Sequence, residues 1–302
     1  MPSGSHANVP DPRNEHVLVY LNGTMVPRER AVVSVLDAGF LLGDGIWEAV
    51  RVVDGVARFL DAHLDRMFEG LAALDLDPGL DRAGFSAAID QTLQANGMHD
   101  GVHLRVMVTR GLKSTPFQGR SAAASGPTIV ILAEFKVPDP SLATRGMTLA
   151  TVPIRRGRPD VQDPGWNSHS KLNCVTASIA AEHAGADEAL MLDPHGFVAT
   201  CNSTHFFLVR KGALWTSTTK YILEGVTRGN VLALARSNGI ETVETDFALR
   251  KVYSADEAFV TGTFGGLMPV TTIDGRTIGA GARGPVTERL QRLYAALLRG
   301  EQ

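Results

Sequence analysis

The sequence is poor in cysteine and has no long apolar run. Its 302 residues include only two cysteines, Cys174 and Cys201, and they show no Cys-x-x-Cys spacing. Two cysteines are too few for a disulfide-stapled secreted scaffold, so we expect reduced thiols and no metal centre. No apolar stretch reaches the roughly 18 residues that a membrane helix needs, and the first residues lack the layout of a signal peptide. The sequence therefore predicts a cytoplasmic protein with no membrane partner.

An excess of charge of one sign is also lacking. Charged residues make up 20% of the chain, the formal net charge is -3, and no block rich in lysine or arginine occurs. Nucleic acid is therefore not an expected partner, because the sequence supplies no basic surface. The 44% of hydrophobic residues is typical of a globular protein, and 302 residues are enough for two domains with separate cores.

Strand and helix patterns occur in separate blocks along the chain. Asn22-Gly23 lies between β-rich flanks and predicts a tight hairpin near the N-terminus. Two helical and two strand patterns complete the first half, at about 62–75, 81–96, 102–110 and 127–135. The second half shows hairpin turns at His195-Gly196 and Lys211-Gly212 and helical patterns near 175–183, 227–237 and 285–298. This segregation predicts an α+β architecture.

A proline-rich polar segment between strong strand patterns predicts the domain boundary. The segment KVPDPSLATR has this composition, and the N-terminal stretch is rich in proline, serine, asparagine and charge. We therefore predict a flexible arm over residues 1–15, an α+β domain over 16–135, a linker over 136–145 and a second domain over 146–302.

Lysine is scarce, which limits the candidates for an amine that reacts with an aldehyde. Four of the lysines look like surface residues in loops or turns, whereas Lys171, in SHSKLNCVTASIAA, stands at the entry of an apolar helix of small residues. Burial there would favour the neutral amine that condenses with a carbonyl. Taken alone, a helix-start lysine with a buried stem is the more ordinary interpretation. The six lysines are Lys113, Lys136, Lys171, Lys211, Lys220 and Lys251.

Three further patterns could bind an anion. In LEGVTRGN, Gly225 precedes Val226 and Thr227 at a predicted helix start, where backbone N–H groups and the helix dipole favour a phosphate. TGTFGG places Thr263 in a glycine-rich turn, and HLDR places Arg66 in the first turns of a helix. Each has an ordinary structural explanation: a capped helix, a tight loop, a solvated salt bridge. Together with one distinctive lysine, they indicate a site for an aldehyde that carries a phosphate.

The order of these motifs resembles that of the class IV, or fold-type IV, pyridoxal-5′-phosphate (PLP) dependent aminotransferases, and in particular the branched-chain aminotransferases. The resemblance extends over nearly the whole chain. Its motifs are LLGDGIWEAVRV, HLDRMFEGLAAL, HSKLN, DEALMLDPHGFV, FFLVRKGALWTS, ILEGVTRGNV and FVTGTFGGLMPVTTIDG.

The resemblance implies a fold, a cofactor and an activity. The fold would have an N-terminal α+β domain and a C-terminal β-barrel-like domain with helices, with PLP at their interface, and the protein would be a homodimer. The activity would be transfer of an amino group between an amino acid or amine and a 2-oxo acid. The family's cofactor-binding roles fall on Lys171, which would form the Schiff base and act catalytically, on Arg66, Val226, Thr227 and Thr263 around the phosphate, and on Thr200 at the pyridine nitrogen.

The substrate residues implied by the resemblance are Trp47, Arg51, His103, Arg105 and Phe264. Arg105 matches an arginine near the substrate carboxylate in branched-chain enzymes, but His103 stands where those enzymes commonly have tyrosine. Trp47 replaces a smaller aromatic residue, and Arg51 matches the branched-chain arrangement. The loop GLKSTPFQG has Thr115 where the D-amino acid enzymes carry an arginine, which argues against a D-amino acid pattern.

Two departures from the family pattern concern the cofactor's chemistry. Cys174 stands where branched-chain enzymes place a tyrosine, and Thr200 stands where the family has a glutamate facing the pyridine nitrogen. A hydroxyl can only hydrogen-bond to that nitrogen, so we expect a weaker electron sink. A PLP-dependent lyase of the aminodeoxychorismate lyase type and a vestigial PLP-binding protein are therefore alternatives. The sequence leaves open the amino donor, its stereochemistry and the acceptor.

Overall fold

The computed structural model describes residues 4–301, which divide into two compact units. The N-terminal unit consists of residues 9–137 together with a short later segment, 166–171. The C-terminal unit contains the remaining described residues, 4–8, 138–165 and 172–301. Lys171 is thus the last residue of the N-terminal unit. The change of unit at 137/138 falls within the predicted linker, but the domain limits themselves stay predictions, and residues 1–3 of the predicted arm lie outside the described residues.

The N-terminal unit is a six-stranded antiparallel sheet with helices. Its elements are β1 (Leu18–Leu21), β2 (Thr24–Pro27), α1 (Ala38–Leu42), β3 (Gly45–Val53), β4 (Val56–Ala57), α2 (Leu60–Ala73), α3 (Arg82–Ala95), β5 (Val102–Thr109) and β6 (Thr128–Phe135). The strand order is β2-β1-β6-β5-β3-β4. The hairpin at Asn22-Gly23 is confirmed: both residues have positive φ, 47° and 88°, which asparagine and glycine tolerate best.

Alternation along the central strands separates two faces of this sheet. In β3 the residues Ile46, Glu48, Val50 and Val52 are buried, while the residues between them are half-buried. The buried apolar positions join side chains from α2 and α3 in one hydrophobic core. Both predicted helices are confirmed to within two residues at each end, and Asp81 caps α3 by accepting a hydrogen bond from the Gly84 N–H at 2.8 Å.

The C-terminal unit contains a nine-stranded mixed sheet, curled as a half-barrel. Its first elements are α4 (Leu142–Arg145), β7 (Met147–Arg155), α5 (Pro159–Gln162), α6 (Leu172–His183), β8 (Glu188–Leu192), β9 (Val198–Cys201), β10 (His205–Arg210) and β11 (Ala213–Thr216). Then come α7 (Val226–Ser237), β12 (Thr242–Glu244), α8 (Leu249–Val252), β13 (Glu257–Gly262), β14 (Gly266–Ile273), β15 (Arg276–Thr277) and α9 (Pro285–Arg299). The order is β12-β11-β10-β13-β14-β7-β8-β9, with β15 beside β14.

The second-half predictions are confirmed at the level of elements. The turn at His195-Gly196 joins β8 to β9, the turn at Lys211-Gly212 joins β10 to β11, and α6, α7 and α9 lie where helical patterns were found. Within residues 4–301, no helix is both long and apolar enough to cross a membrane.

Candidate cofactor site

The segment that carries Lys171 lies along the first residues of β3. The Trp47 N–H donates to the Asn167 carbonyl oxygen at 2.9 Å, and the His169 N–H donates to the Gly45 carbonyl oxygen at 3.0 Å. Ile46 and Ser168 form an antiparallel bridge between these two bonds. Backbone pairing therefore fixes the position of residues 167–169 on β3, which begins at the last residue of the GDG motif, Gly43-Asp44-Gly45.

The two glycines of that motif make room for the segment. Gly43 has a φ of +68°, and a side chain there would collide with the Ser170 hydroxyl. A side chain at Gly45 would collide with the Val108 carbonyl and lie 2.8 Å from the His169 ring. A glycine is needed at both positions because the lysine-bearing segment approaches the strand so closely.

Lys171 is half-buried beside an amide and an aromatic ring. Its Nζ lies 3.0 Å from Oδ1 of Asn167 and 5.5 Å from the centre of the Trp47 ring. The Arg105 guanidinium lies 3.9 Å from the centre of the same ring. Both cations are therefore attracted by one indole π system, whose N–H donates to the Ser168 carbonyl at 3.1 Å.

The predicted substrate residues on β3 and β5 share one face of the sheet. Trp47 and Arg51 occupy alternate positions on β3, opposite the face that packs on the core. Arg51 pairs with His103, and Arg105 pairs with Ala49, so both β5 residues belong to the same face. The structure thus brings together Trp47, Arg51, His103 and Arg105, with Lys171 over the Trp47 ring.

Burial shapes the protonation of this face. Burial lowers the pKa of Arg105, partly offset by Glu134, without removing the arginine's charge. Burial, with the charges of Arg105 and Lys171, lowers the pKa of His169 to about 4. His169 is therefore neutral at pH 7, and its buried Nε2 has no hydrogen-bond partner among residues 4–301.

Arg66 lies on the other, helix-covered face, in contact with Glu48. Its Nε and Nη2 donate to the two carboxylate oxygens of Glu48 at 2.8 and 2.6 Å, and Nδ1 of His63 lies 2.8 Å from the same carboxylate. Burial raises the pKa of Glu48, but His63 and Arg66 outweigh it and hold the pKa below its usual value. Neither Glu48 nor His63 was predicted from the sequence, although a glutamate at a core-facing position of an alternating strand indicates a buried partner.

In the C-terminal unit, Thr200 belongs to a buried network of hydroxyl groups. Its Oγ1 donates to the Thr204 carbonyl at 2.7 Å, and the Thr204 hydroxyl donates to Glu188 at 2.7 Å. Ser203 and Ser5 also donate to the Glu188 carboxylate. Burial raises the pKa of Glu188, against these hydrogen bonds. Glu188 was not among the residues predicted from the sequence.

The predicted phosphate turn begins α7 without a side-chain cap. Gly225 is the N-cap, so the N–H groups of Val226 and Thr227 start the helix. A side chain at Gly225 would collide with the His205 ring. Nε2 of that ring donates to the Leu223 carbonyl oxygen at 2.7 Å. The Thr227 hydroxyl is buried, 3.5 Å from the Tyr294 hydroxyl.

Thr263 and Phe264 lie in the turn between β13 and β14. The turn follows Thr261, which pairs with His205 in the sheet, so it lies at the same end of these strands as the start of α7. Phe264 stacks on His6, with 5.8 Å between ring centres. The Thr261 hydroxyl is buried and has no hydrogen-bond partner among the described residues.

Comparison with known proteins identifies the family. A sequence model of amino-transferase class IV matches residues 45–273. This range includes β3, Lys171, the start of α7 and the turn between β13 and β14. The chain belongs to this family. The class IV aminotransferase fold, fold-type IV, was thus correctly predicted from the motifs.

Relatives of this member of the class IV family carry branched-chain names. Branched-chain-amino-acid aminotransferase-like protein 2 of Arabidopsis thaliana is 38% identical over 97% of the chain, and the chain spans about half (52%) of its length. The branched-chain-amino-acid aminotransferase of Pseudomonas aeruginosa is 32% identical over 94% of both chains.

A solved structure agrees with the sequence comparisons. The T.th. branched-chain amino acid aminotransferase complexed with N-(5′-phosphopyridoxyl)-L-glutamate matches with a TM-score of 0.87 and 28% identity, over 95% of each chain.

Proposed function

We propose that this chain is a cytoplasmic PLP-dependent aminotransferase that moves an amino group between an amino acid or amine and a 2-oxo acid, with Lys171 as the cofactor lysine. The half-buried amine of Lys171, fixed beside Asn167 and Trp47, is the observation that carries the proposal. Of the six lysines, only Lys171 lies in the segment that is hydrogen-bonded to β3.

The residues fit PLP by their chemistry. A primary amine suits the aldehyde, and a helix start without a side-chain cap suits a phosphate, aided by Val226, Thr227 and Thr263. Arg66 is proposed as a further phosphate contact, held by Glu48. When bound, PLP withdraws electrons from the substrate's α-carbon, which makes its C–H bond acidic.

The chain's own residues then bind the substrate and move one proton. Arg105 and Arg51 attract the substrate carboxylate, while Trp47, His103 and Phe264 line the substrate. The amine of Lys171 would take the proton from the substrate's α-carbon and become an ammonium. It would then give that proton to C4′ of the cofactor. Thr200 is proposed to face the pyridine nitrogen, where its neutral hydroxyl replaces a carboxylate.

Trapping the cofactor on its lysine tests the assignment. Borohydride reduction of the PLP-loaded protein, followed by peptide mapping, should label Lys171, and Lys171→Ala should abolish both the label and turnover. Lys113→Ala is the matched control, because Lys113 is buried at 1% exposure and donates to the Gly119 carbonyl at 3.2 Å. A label on Lys113 or another lysine contradicts the proposal.

The reaction type is tested with a panel of L- and D-amino acids and simple amines. A transaminase converts about one equivalent of donor per bound cofactor without an acceptor, and it continues beyond that only when a 2-oxo acid restores the cofactor. Sustained pyruvate formation without an acceptor would instead indicate the lyase alternative. Bound PLP with no spectral response to any donor would indicate the vestigial alternative.

We also propose a homodimer. Val32, Val35 and Phe40 are exposed on the N-terminal unit, and Leu172, Val175 and Ile179 are exposed on one side of α6. A second copy of the chain is the proposed occupant of these surfaces. Light scattering should give the dimer mass, and Phe40→Glu should lower it, whereas Val56→Glu, at an exposed hairpin, should not. A monomeric mass for the unaltered chain overturns the proposal.

A further inference from the structure

We propose that Asn167 is a positioning residue that holds the amine of Lys171 and directs its lone pair away from Asn167, toward the reacting carbon. This rests on the proposed function, in which Lys171 transfers a proton. Asn167 belongs to none of the patterns from which the cofactor and substrate residues were predicted. The observation that points to Asn167 is one hydrogen bond, in which Nζ of Lys171 donates to Oδ1 of Asn167 at 3.0 Å.

Asn167 is buried, and its backbone is paired with a strand, which places it to act as an acceptor. Asn167 is 5% exposed, and its carbonyl accepts the Trp47 N–H at 2.9 Å. Two residues further on, the His169 N–H donates to Gly45. The backbone that carries the acceptor is therefore paired with β3, a strand of the N-terminal unit, and not with α6, the helix that follows Lys171.

An amide oxygen suits both protonation states of the amine. The neutral amine has two N–H bonds and one lone pair, and donating one hydrogen to Oδ1 leaves the lone pair in another tetrahedral direction. When that lone pair takes the α-proton, the C–H electron pair stays on the substrate carbon and the amine becomes an ammonium. The ammonium keeps the same hydrogen bond, so Asn167 need not move during the transfer.

The absence of charge on Asn167 matters as much as its position. The groups near the amine include Trp47 on β3, the cation Arg105 against the same indole ring, and His169 on the same segment as Lys171. A carboxylate at position 167 would pair with the ammonium and oppose its loss of a proton. An amide orients the amine without favouring the charged form to that extent.

The test separates orientation from charge with two variants and one control. Asn167→Asp keeps the shape and adds a charge, whereas Asn167→Leu keeps the branch at Cγ and removes the acceptor. Asn173→Asp adds a charge two residues beyond Lys171, on an exposed side chain that donates to the Arg155 carbonyl at 2.9 Å. The amine's pKa is measured in cofactor-free protein from the pH dependence of Lys171 acylation, followed by mass spectrometry of its peptide.

Asn167→Asp should raise that pKa by about 1–3 units, and Asn173→Asp should change it by much less. In the loaded enzyme Asn167→Leu should lower kcat by about ten- to a hundredfold with little change in the donor's KM, because orientation and not binding is lost. An unchanged pKa in Asn167→Asp, in protein whose Lys171 is labelled by borohydride, overturns the inference while leaving the proposed function standing. A borohydride label on another lysine overturns both.

Discussion

Removing Arg66 should destabilise the N-terminal unit, because it leaves a buried carboxylate short of its partners. The Glu48 side chain is 2% exposed and that of Arg66 is 12% exposed. Arg66→Ala removes two of the three short contacts to this carboxylate and leaves only His63. Breaking a buried ion pair by removing one partner costs about 3–5 kcal/mol, so we expect a loss of this size in the free energy of unfolding.

Urea unfolding at pH 7 measures the loss, and an exposed ion pair supplies the control. Arg120 and Asp75 pair with side chains that are 68% and 72% exposed, and such pairs contribute about 0–1 kcal/mol. Arg120→Ala should therefore cost little. If Arg66→Ala costs no more than Arg120→Ala, the contact with Glu48 does not stabilise the fold as argued.

The same cluster predicts a pH dependence. The pKa of Glu48 in the folded protein lies below its ordinary value of 4.5. Its contribution to stability is therefore present above the unfolded pKa and is lost as the pH falls through the folded pKa. Glu48→Gln should remove that acid-limb loss, because the amide does not titrate there. An acid limb in Glu48→Gln that is as steep as in the unaltered chain would refute this assignment.

Three glycine substitutions test the close approaches described above. Gly43→Ala should destabilise the fold and weaken PLP binding, because a methyl group collides with Ser170 and the φ of +68° strains alanine; unfolding and PLP titration measure both effects. Gly225→Ala should weaken PLP binding more than it weakens the fold, because its methyl group meets the His205 ring at the start of α7; an unchanged dissociation constant would contradict this. Gly229→Ala, inside α7 with nothing within 4 Å, should raise stability by about 0.5–1 kcal/mol, and a loss on thermal unfolding would count against the local structure.

The features predicted from the sequence depend on local physics. The hairpin at Asn22-Gly23 follows from the dihedral angles of two residues, and the helix after Lys171 follows from neighbours in the chain. The start of α7, with Gly225 as an N-cap that has no side chain, likewise needs only Gly225 and the residues after it. Such features are readable because the responsible side chains and the backbone they act on are within a few positions of each other.

The residues that sequence analysis missed act over long separations in the chain. Asn167 is placed by Trp47, which is 120 positions earlier, and the Glu48 carboxylate is paired with Arg66, 18 positions later, across the β3–β4 hairpin and the first half of α2. Asn167 gives no periodic signal, because its role depends on a bend in an irregular segment. The Arg66 pattern predicted a cation in the right helix and allowed a solvated salt bridge, but it did not predict that the carboxylate partner would be buried.

Thr200 shows how the structure refines an inference that the sequence could only begin. Because its hydroxyl hydrogen is donated to the Thr204 carbonyl, the lone pairs of Oγ1 remain available to accept a hydrogen bond. In the proposed position opposite the pyridine nitrogen, a glutamate would also be an acceptor, so a threonine there would keep the ability to accept and would lack the negative charge. The Thr204 carbonyl also accepts the Cys201 N–H at 2.9 Å, so it would keep one partner if Thr200 turned its hydrogen elsewhere. The hydroxyl can therefore accept from a protonated ring nitrogen or donate to an unprotonated one, whereas a carboxylate would favour the protonated form alone.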